Sequence, residues 1–199
     1  MRNVRRGDVF IKQGDEPVGL IACIDGQIRA QTTAPSGKTA LVTVFHPGDF
    51  FSFLGAADGR PHVLDYVASV ESVIFVLPYQ VTREIFATDQ QLFLYLVGPQ
   101  LIAMRKTIDY MTTTIRLSPI QRLAERLLDL SRSPYYPEGD HRPLLGLSQE
   151  LLASAVLCTR QTTNELLGEL QSRSLIKSEY GRIEILDPDG LRKIYAPPS

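Results

Sequence analysis

Seven apolar residues place the first constraint on this chain. Leu94, Val97, Leu101, Met104, Ile108, Met111 and Ile115 follow one another at steps of 3, 4, 3, 4, 3 and 4. That spacing keeps one narrow stripe of a single long helix apolar. Such a stripe either packs on its own domain or meets a symmetric partner. The Thr, Lys, Asp and Arg residues between the seam positions suit the partner better. Val97, Leu101, Met104, Ile108, Met111 and Ile115 are therefore the expected dimer interface. Gly98-Pro99 interrupts the start, so the helix is kinked there or begins afresh with Pro99 in its first turn.

The chain changes character on either side of this helix. Residues 4 to 78 hold short β-branched runs, VFIK, VGLIACIDG, QIRAQTT, TALVTVF, VLDYVASV and SVIFVLP, separated by Gly-Asp, Asp-Gly, Ser-Gly and Pro-Gly-Asp turns. This is the cadence of an antiparallel sandwich or barrel. After the helix, Ser118-Pro119 gives a cap and a first-turn proline to IQRLAERLLDL. A Pro-, Gly- and charge-rich loop covers 131 to 143. Helical segments follow at 148 to 156 and 160 to 172, then a strand GRIEIL (181 to 186) paired with LIKSEY, then a closing helix DPDGLRKIY. Helix, short turn, helix and hairpin describe a winged helix-turn-helix. The chain is thus read as α+β: antiparallel β structure over 1 to 88, a long dimerisation helix over 89 to 117, and a winged helix-turn-helix over 118 to 199.

The 199 residues are 44% hydrophobic, with 21 basic against 22 acidic side chains. A sizeable core is possible, and no global field draws the chain to nucleic acid or an anionic membrane. Residues 117 to 199 are equally balanced, with 10 basic and 11 acidic side chains. Cys23 and Cys158 form neither a CxxC pair nor a disulfide framework, which fits a reducing, cytoplasmic setting. No apolar run approaches the ~20 residues that span a bilayer. Three scattered histidines offer no His-x-His metal cavity, and no GxSxG, HExxH, P-loop or Rossmann fingerprint is present. Neither an enzyme nor a cofactor protein is expected.

The stretch CTRQTTNELLGEL (158 to 170) is polar at its mouth and apolar behind it. In a helix-turn-helix the second helix needs that division, because its N-terminal residues enter the major groove while its inner face holds it to the domain. Arg160 can chelate guanine, Gln161 can pair with adenine, Asn164 can read by its amide, and Thr159 and Thr162 suit phosphate oxygens. Ser148 caps the preceding helix, and Ser148, Gln149, Arg173 and Arg182 are expected DNA contacts beside these residues and Glu165. Arg160, Arg173, Lys177 and Arg182 form the local basic set.

RRGDVFIKQGD, IDGQIRA, HPGDFF, the seam helix, SPIQRLAERLLDL and the tail from LSQELLASAV to LDPDGL together resemble the regulators related to the cyclic-AMP receptor protein and the fumarate-nitrate reductase regulator. The resemblance covers nearly the whole chain in order. It implies a homodimeric bacterial transcription factor with an antiparallel β-roll sensor domain over 1 to 88, a dimerisation helix and a winged helix that binds a palindromic operator in double-stranded DNA, with RNA polymerase as a further partner. Relatives commonly carry a Ser-Arg-x-Thr-Val-x-Arg recognition pattern. Here the first Arg matches Arg160, but the later one is replaced by Glu165, which can accept from cytosine and repels phosphate.

The same resemblance places a Gly-Glu pair and an Arg-Ser pair in members that bind cyclic nucleotides. Ser52-Phe53 and His62-Val63 stand at those positions, with Arg60 two residues before His62. A buried phosphodiester without its Arg is costly, so a different, more apolar small-molecule effector is expected. Its expected site lies between Phe51, Ser52, Phe53, Leu54, Arg60, His62 and Val63 on the roll and Met104, Thr107, Ile108 and Met111 on the long helix. Haem, for which His62 is the placed candidate, and a thiol switch at Cys158 are the alternatives within the same fold. A module that lost DNA binding is the alternative outside it. His46, before Pro-Gly-Asp, and His141, in the 131 to 143 loop, are expected to be solvated.

Overall fold

The computed structural model describes residues 1–113, 116–133, 135 and 141–195. Its N-terminal part is a β-roll built from two four-stranded sheets. The strands are β1 (Arg2–Val4), β2 (Val9–Ile11), β3 (Gly19–Asp25), β4 (Ile28–Thr33), β5 (Thr39–Phe45), β6 (Phe50–Phe51), β7 (Asp65–Ala68) and β8 (Ser72–Pro78). One sheet has the order β1-β8-β3-β6 and the other β2-β7-β4-β5, all antiparallel. The six apolar runs of the sequence contribute β2, β3, β4, β5, β7 and β8. The very short β1 and β6 carry no periodic signal of their own and form by pairing along β8 and β3.

Between the sheets the interior is aromatic and filled. Phe51 stacks on Phe45 at 5.0 Å between ring centroids and lies 5.1 Å from Tyr66, while Phe10 meets Phe51 edge-on at 6.2 Å. Ile11, Ile21, Cys23, Ile28, Ala30 and Ile74 complete this core. Burial pushes the Cys23 thiol up to about 12, helped by Asp49 and Asp25. The thiol is thus held in its inert form.

Two helices, α1 (Phe53–Asp58) and α2 (Tyr79–Thr88), lie within the segment read as antiparallel β structure, and α3 (Gln90–Thr113) is the long helix that the apolar stripe predicts. α1 is a single short turn bounded by left-handed residues at Ser52 and Gly59, too brief for a periodic pattern. α3 is one continuous helix with Pro99 inside it, so of the two readings of Gly98-Pro99, a kink or a fresh start, the fresh start does not occur. α3 packs on the roll through its first two turns. Leu96 is buried there with Leu20, Phe53 and Ala56, and Leu92, Phe93 and Val97 pack against the same cluster.

The C-terminal part holds α4 (Pro119–Leu130), β9 (Leu144–Leu145), α5 (Gln149–Val156), α6 (Arg160–Ser172), β10 (Ile176–Glu179), β11 (Arg182–Ile185) and α7 (Pro188–Tyr195). Ser118 and Gln121 form a reciprocal capping box with Pro119 at the first helical position, as the sequence pattern requires. The hairpin β10-β11 gains β9 as a third strand. Leu123, Leu127, Leu144, Leu152, Leu170 and Ile176 form the centre of this part.

These two parts are not beads on a string. Leu41 and Val44 of β5 belong to the same apolar cluster as α4, α5 and α6. Polar contacts close the seam around Gln27, which is 1% exposed. Its Nε2 donates to His46 Nδ1 at 3.1 Å and to the Pro143 carbonyl at 3.0 Å, and its Oε1 accepts from the Leu145 N–H at 2.7 Å. His46 Nε2 in turn donates to the Leu130 carbonyl at 2.9 Å. With both ring nitrogens committed in this way, His46 is the neutral Nε2-H tautomer. Ser133 donates to Asp49, Arg142 to the Pro47 carbonyl, and the Leu41 N–H to Ser154 at 3.1 Å.

His46 is 1% exposed, which corrects the expectation of a solvated turn. His46 and Asp49 of this turn are buried against the C-terminal part, while Gly48 stays exposed. His141 is partly buried and hydrogen-bonded to Ser131.

Two expectations follow from this seam. Gly146 sits at φ +66° with the Ser69 carbonyl oxygen 1.9 Å from where a Cβ would lie. Gly146→Ala therefore meets both a strained backbone, about 1–2 kcal/mol, and a backbone collision. It should lower the melting temperature by about 2–4 °C for each kcal/mol lost and raise amide exchange in β9. Unchanged melting would show that the docked arrangement is not the solution state.

The second expectation concerns acid. Burial lowers the pKa of His46, so the unfolded chain binds the proton more tightly than the folded one. The seam's stability is then complete above about pH 6.5, the ordinary histidine value, and is lost as pH falls below it. Asp49, pushed up by its own burial, acts in the opposite direction at lower pH. His46→Gln should flatten the fall in melting temperature between pH 7 and 5.5; an equal fall in the variant would assign it elsewhere.

Candidate nucleic-acid interface

α5 and α6 form a tight pair joined by three residues. The Ser148 hydroxyl accepts from the Leu151 N–H at 3.1 Å and so caps α5. Leu157 turns the chain through a left-handed conformation at φ 54°. Thr159 then caps α6 by accepting from the Thr162 N–H at 3.1 Å. Arg122 of α4 clamps this turn. Its Nε donates to the Val156 carbonyl at 3.0 Å, its Nη1 to the Leu117 carbonyl at 2.9 Å and its Nη2 to Cys158 Sγ at 3.7 Å. Nothing in the periodicity of IQRLAERLLDL marks Arg122 out, since an Arg in that pattern reads as surface.

α6 is divided as a groove-reading helix must be. Thr163, Leu167 and Leu170 are buried, and the last two join the domain core. Arg160, Gln161 and Glu165 are exposed, and Thr162 and Asn164 are half-buried. Gln149, at the start of α5, accepts from Arg160 Nε at 3.3 Å and Asn164 Nδ2 at 3.0 Å through the same oxygen. Gln161 Nε2 donates to Glu165 Oε1 at 3.1 Å. Thr159 and Thr162 share a hydroxyl hydrogen bond at 2.9 Å. The hydroxyls of Ser148 and Thr159 are therefore committed to capping, which shapes the helix starts.

The basic set is less open than the sequence implies. Arg173 pairs with Glu169, Lys177 with Glu179 at 2.8 Å, and Arg182 with Glu184, all on the surface. Arg160 differs from these three in having a neutral amide as its side-chain partner. Phosphate contacts by the other three must compete with a neighbouring carboxylate.

The residues expected to hold an effector are scattered. Phe51 fills the roll core, and Phe53 packs against Phe86 at 5.5 Å and Phe93 at 6.0 Å. Ser52 is buried and donates to the Gly19 carbonyl at 2.8 Å. His62 is buried edge-on against Tyr66 at 5.8 Å, and burial lowers its pKa. Leu54 and Val63 are each 56% exposed, and Arg60 is exposed. Met104, Thr107 and Ile108 lie on the exposed part of α3, past the turns that touch the roll. The Met111 side chain lies outside the described residues. Within one copy α3 meets the roll through Leu92, Phe93, Leu96 and Val97, so the described members of this set do not line a common cavity. A surface groove of about 400 Å³, lined by Val9, Lys12, Gln13, Gln31, Thr33 and Asp65, contains none of these residues. Among the described residues no group of three or more His, Cys, Asp or Glu side chains could hold a metal.

Along the seam, Leu101, Met104 and Ile108 are 55%, 62% and 51% exposed. Val97 is partly buried in the Phe53 cluster, so it serves the roll contact as well as the stripe. Ile115 lies outside the described residues. Among the described residues no helix is long and apolar enough to cross a membrane.

Comparison with known proteins agrees with this architecture in both halves. The family model described as a cyclic nucleotide-binding domain matches residues 1–89, and that described as a Crp-like helix-turn-helix domain matches residues 121–194. The chain is 26% identical over 171 residues to the transcriptional regulator SdrP of Thermus thermophilus, covering 86% of this chain and 81% of that protein. It is 25% identical over 189 residues to a CRP-like cAMP-activated global transcriptional regulator of Mycobacterium tuberculosis, covering 94% and 84%. Its fold matches that of FixK2 from Bradyrhizobium japonicum with a TM-score of 0.82 at 16% identity, over 100% of this chain and 98% of that one. A β-roll, a long helix and a winged helix-turn-helix in this order, matched at both ends by the family's own domains, make the chain a member of the CRP/FNR family of DNA-binding transcription regulators.

Proposed function

We propose that this regulator acts as a homodimer paired along α3, reads a palindromic operator through α6, and responds to a small-molecule effector other than a cyclic nucleotide. One observation carries the dimer: Leu101, Met104 and Ile108 form a stripe of large apolar side chains, each more than half exposed. Burying such a side chain fully is worth about 1.5–3 kcal/mol, and a second copy offers the same stripe in register. Pairing there would present two α6 helices to successive major grooves on one face of DNA, about 34 Å apart. RNA polymerase is the further partner that transcription control requires, and a cytoplasmic location follows from binding DNA.

The argument against a cyclic nucleotide is packing. Phe53 stands where the family resemblance puts the ribose-binding Glu, and it is buried among Leu20, Ala56, Leu96, Phe86 and Phe93. A nucleotide there would have to displace an aromatic cluster and bring a phosphate beside His62, which burial keeps neutral. Glu165 is hydrogen-bonded to Gln161 on the exposed side of α6, which supports a reading role for Glu165 over a module without DNA binding. A haem reading gains nothing, since the His62 ring is packed against Tyr66 inside the roll.

Met104→Glu combined with Ile108→Glu tests the pairing. Both sites are exposed, so the fold should persist by circular dichroism. Sedimentation should shift from dimer to monomer at micromolar concentration, and operator affinity should fall at least 100-fold. A variant that stays dimeric would place the interface elsewhere. Cyclic AMP at millimolar concentration should leave the melting temperature of the native protein unchanged; a rise of several degrees would overturn the packing argument.

A further inference from the structure

We infer that Gln149 of α5 is the positioning residue that fixes Arg160 and Asn164 of α6 together, so that the base pairs those two side chains read are recognised as a coupled unit. The inference rests on the DNA-reading role proposed for α6. Its physical basis is a single shared acceptor. Gln149 Oε1 has two lone pairs, and both are used, one by Arg160 Nε at 3.3 Å and one by Asn164 Nδ2 at 3.0 Å. Arg160 and Asn164 are four residues apart and so lie one above the other on the same face of α6.

Each hydrogen bond selects an orientation. Holding Arg160 by Nε leaves its two Nη groups as the fork that meets guanine O6 and N7. A free Arg would have to give up side-chain rotamer freedom to do this. Asn164 is under tighter control. Its Oδ1 is buried without a donor, which leaves the second Nδ2–H as the group that can meet a base acceptor, and among the described contacts the hydrogen bond to Gln149 is the one that orients the amide. Turning that amide over would set Oδ1 against Gln149 Oε1. Turning Gln149 over to compensate would set an N–H₂ group against Arg160 Nε. The Arg, which cannot accept, thus fixes the polarity of all three side chains.

Gln149 itself is exposed at the first position of α5, where a direct phosphate contact is the competing role. The two roles separate in their effect on selectivity. A phosphate contact contributes equally to every duplex, whereas a positioning residue contributes only where Arg160 and Asn164 meet their preferred bases.

The test compares the native protein with Gln149→Ala and Gln149→Glu. Competition binding by fluorescence anisotropy would use the duplex recovered by selection, its single-base variants, and an unrelated duplex. Gln149→Ala should lose about 10-fold of discrimination at the base pairs read by Arg160 and by Asn164 in one step, with unrelated-duplex affinity within about 2-fold. Gln149→Glu keeps an acceptor oxygen for both donors and should restore most of the discrimination. In an Arg160→Ala background, Gln149→Ala should add little. If Gln149→Ala weakens every duplex equally, or leaves discrimination intact, the positioning role is wrong. If the native protein shows no sequence preference at all, the DNA-reading role fails first, and the two failures are distinguishable.

Discussion

The arrangement of this protein depends on one buried hydrogen-bond bridge. Gln27 and His46 from the roll meet the carbonyls of Leu130 and Pro143 and the amide of Leu145 from the C-terminal part, with every one of these side-chain polar groups satisfied. A satisfied buried network orients its partners, because leaving any member unpaired costs about 1–3 kcal/mol. Around it, Leu41 and Val44 carry the apolar core of the winged helix directly onto β5. The outcome is that α6 is held in a defined place relative to α3. A recognition helix can serve a symmetric dimer only if that relation is fixed, since half-site spacing is a geometric property. The bridge therefore connects the sensor's interior to the DNA-facing surface through fewer than a dozen polar atoms.

The interior of the roll and its junction with α3 are built from rings. Phe51, Phe45 and Tyr66 stack within the roll, and Phe53, Phe86 and Phe93 close the junction with α3. Tyr135 adds a link from the C-terminal part. Its ring lies 5.6 Å from Phe50 and 6.3 Å from Tyr95, and its hydroxyl accepts from Gln100 at 3.1 Å. A change in how α3 sits on the roll would thus be felt at the docked domain through contiguous packing, the physical requirement for a two-state device.

Much of this was legible in the residues. The alternation and turns of 4 to 78, the Ser118-Pro119 start, and the Ser148 and Thr159 caps specify local structure, and the two helices of the reading unit fall where those caps put them. Short elements were not legible: β1, β6, β9 and α1 form because a neighbour pairs or packs with them. The turn holding His46 looked solvated because sequence shows the turn but not the second domain that covers it. The placement of the residues expected around an effector was hidden for a related reason. The stripe on α3 is continuous, but only tertiary packing decides that Leu92, Phe93 and Leu96 meet the roll while Met104 and Ile108 stay outside. Within α6, residue types gave the candidate readers, yet the hydrogen bonds that orient them through Gln149 come from a residue 11 positions before Arg160 and 15 before Asn164.

The central claim is that two copies of this chain, joined along α3, read DNA through paired α6 helices. Selection of bound duplexes from a random pool tests it most directly. The account predicts enrichment of an inverted repeat whose half-site centres lie about one helical turn, 10–10.5 base pairs, apart, with a guanine in each half-site that Arg160→Ala no longer enriches. Recovery of a single unrepeated motif, or no enrichment over the starting pool, would contradict it.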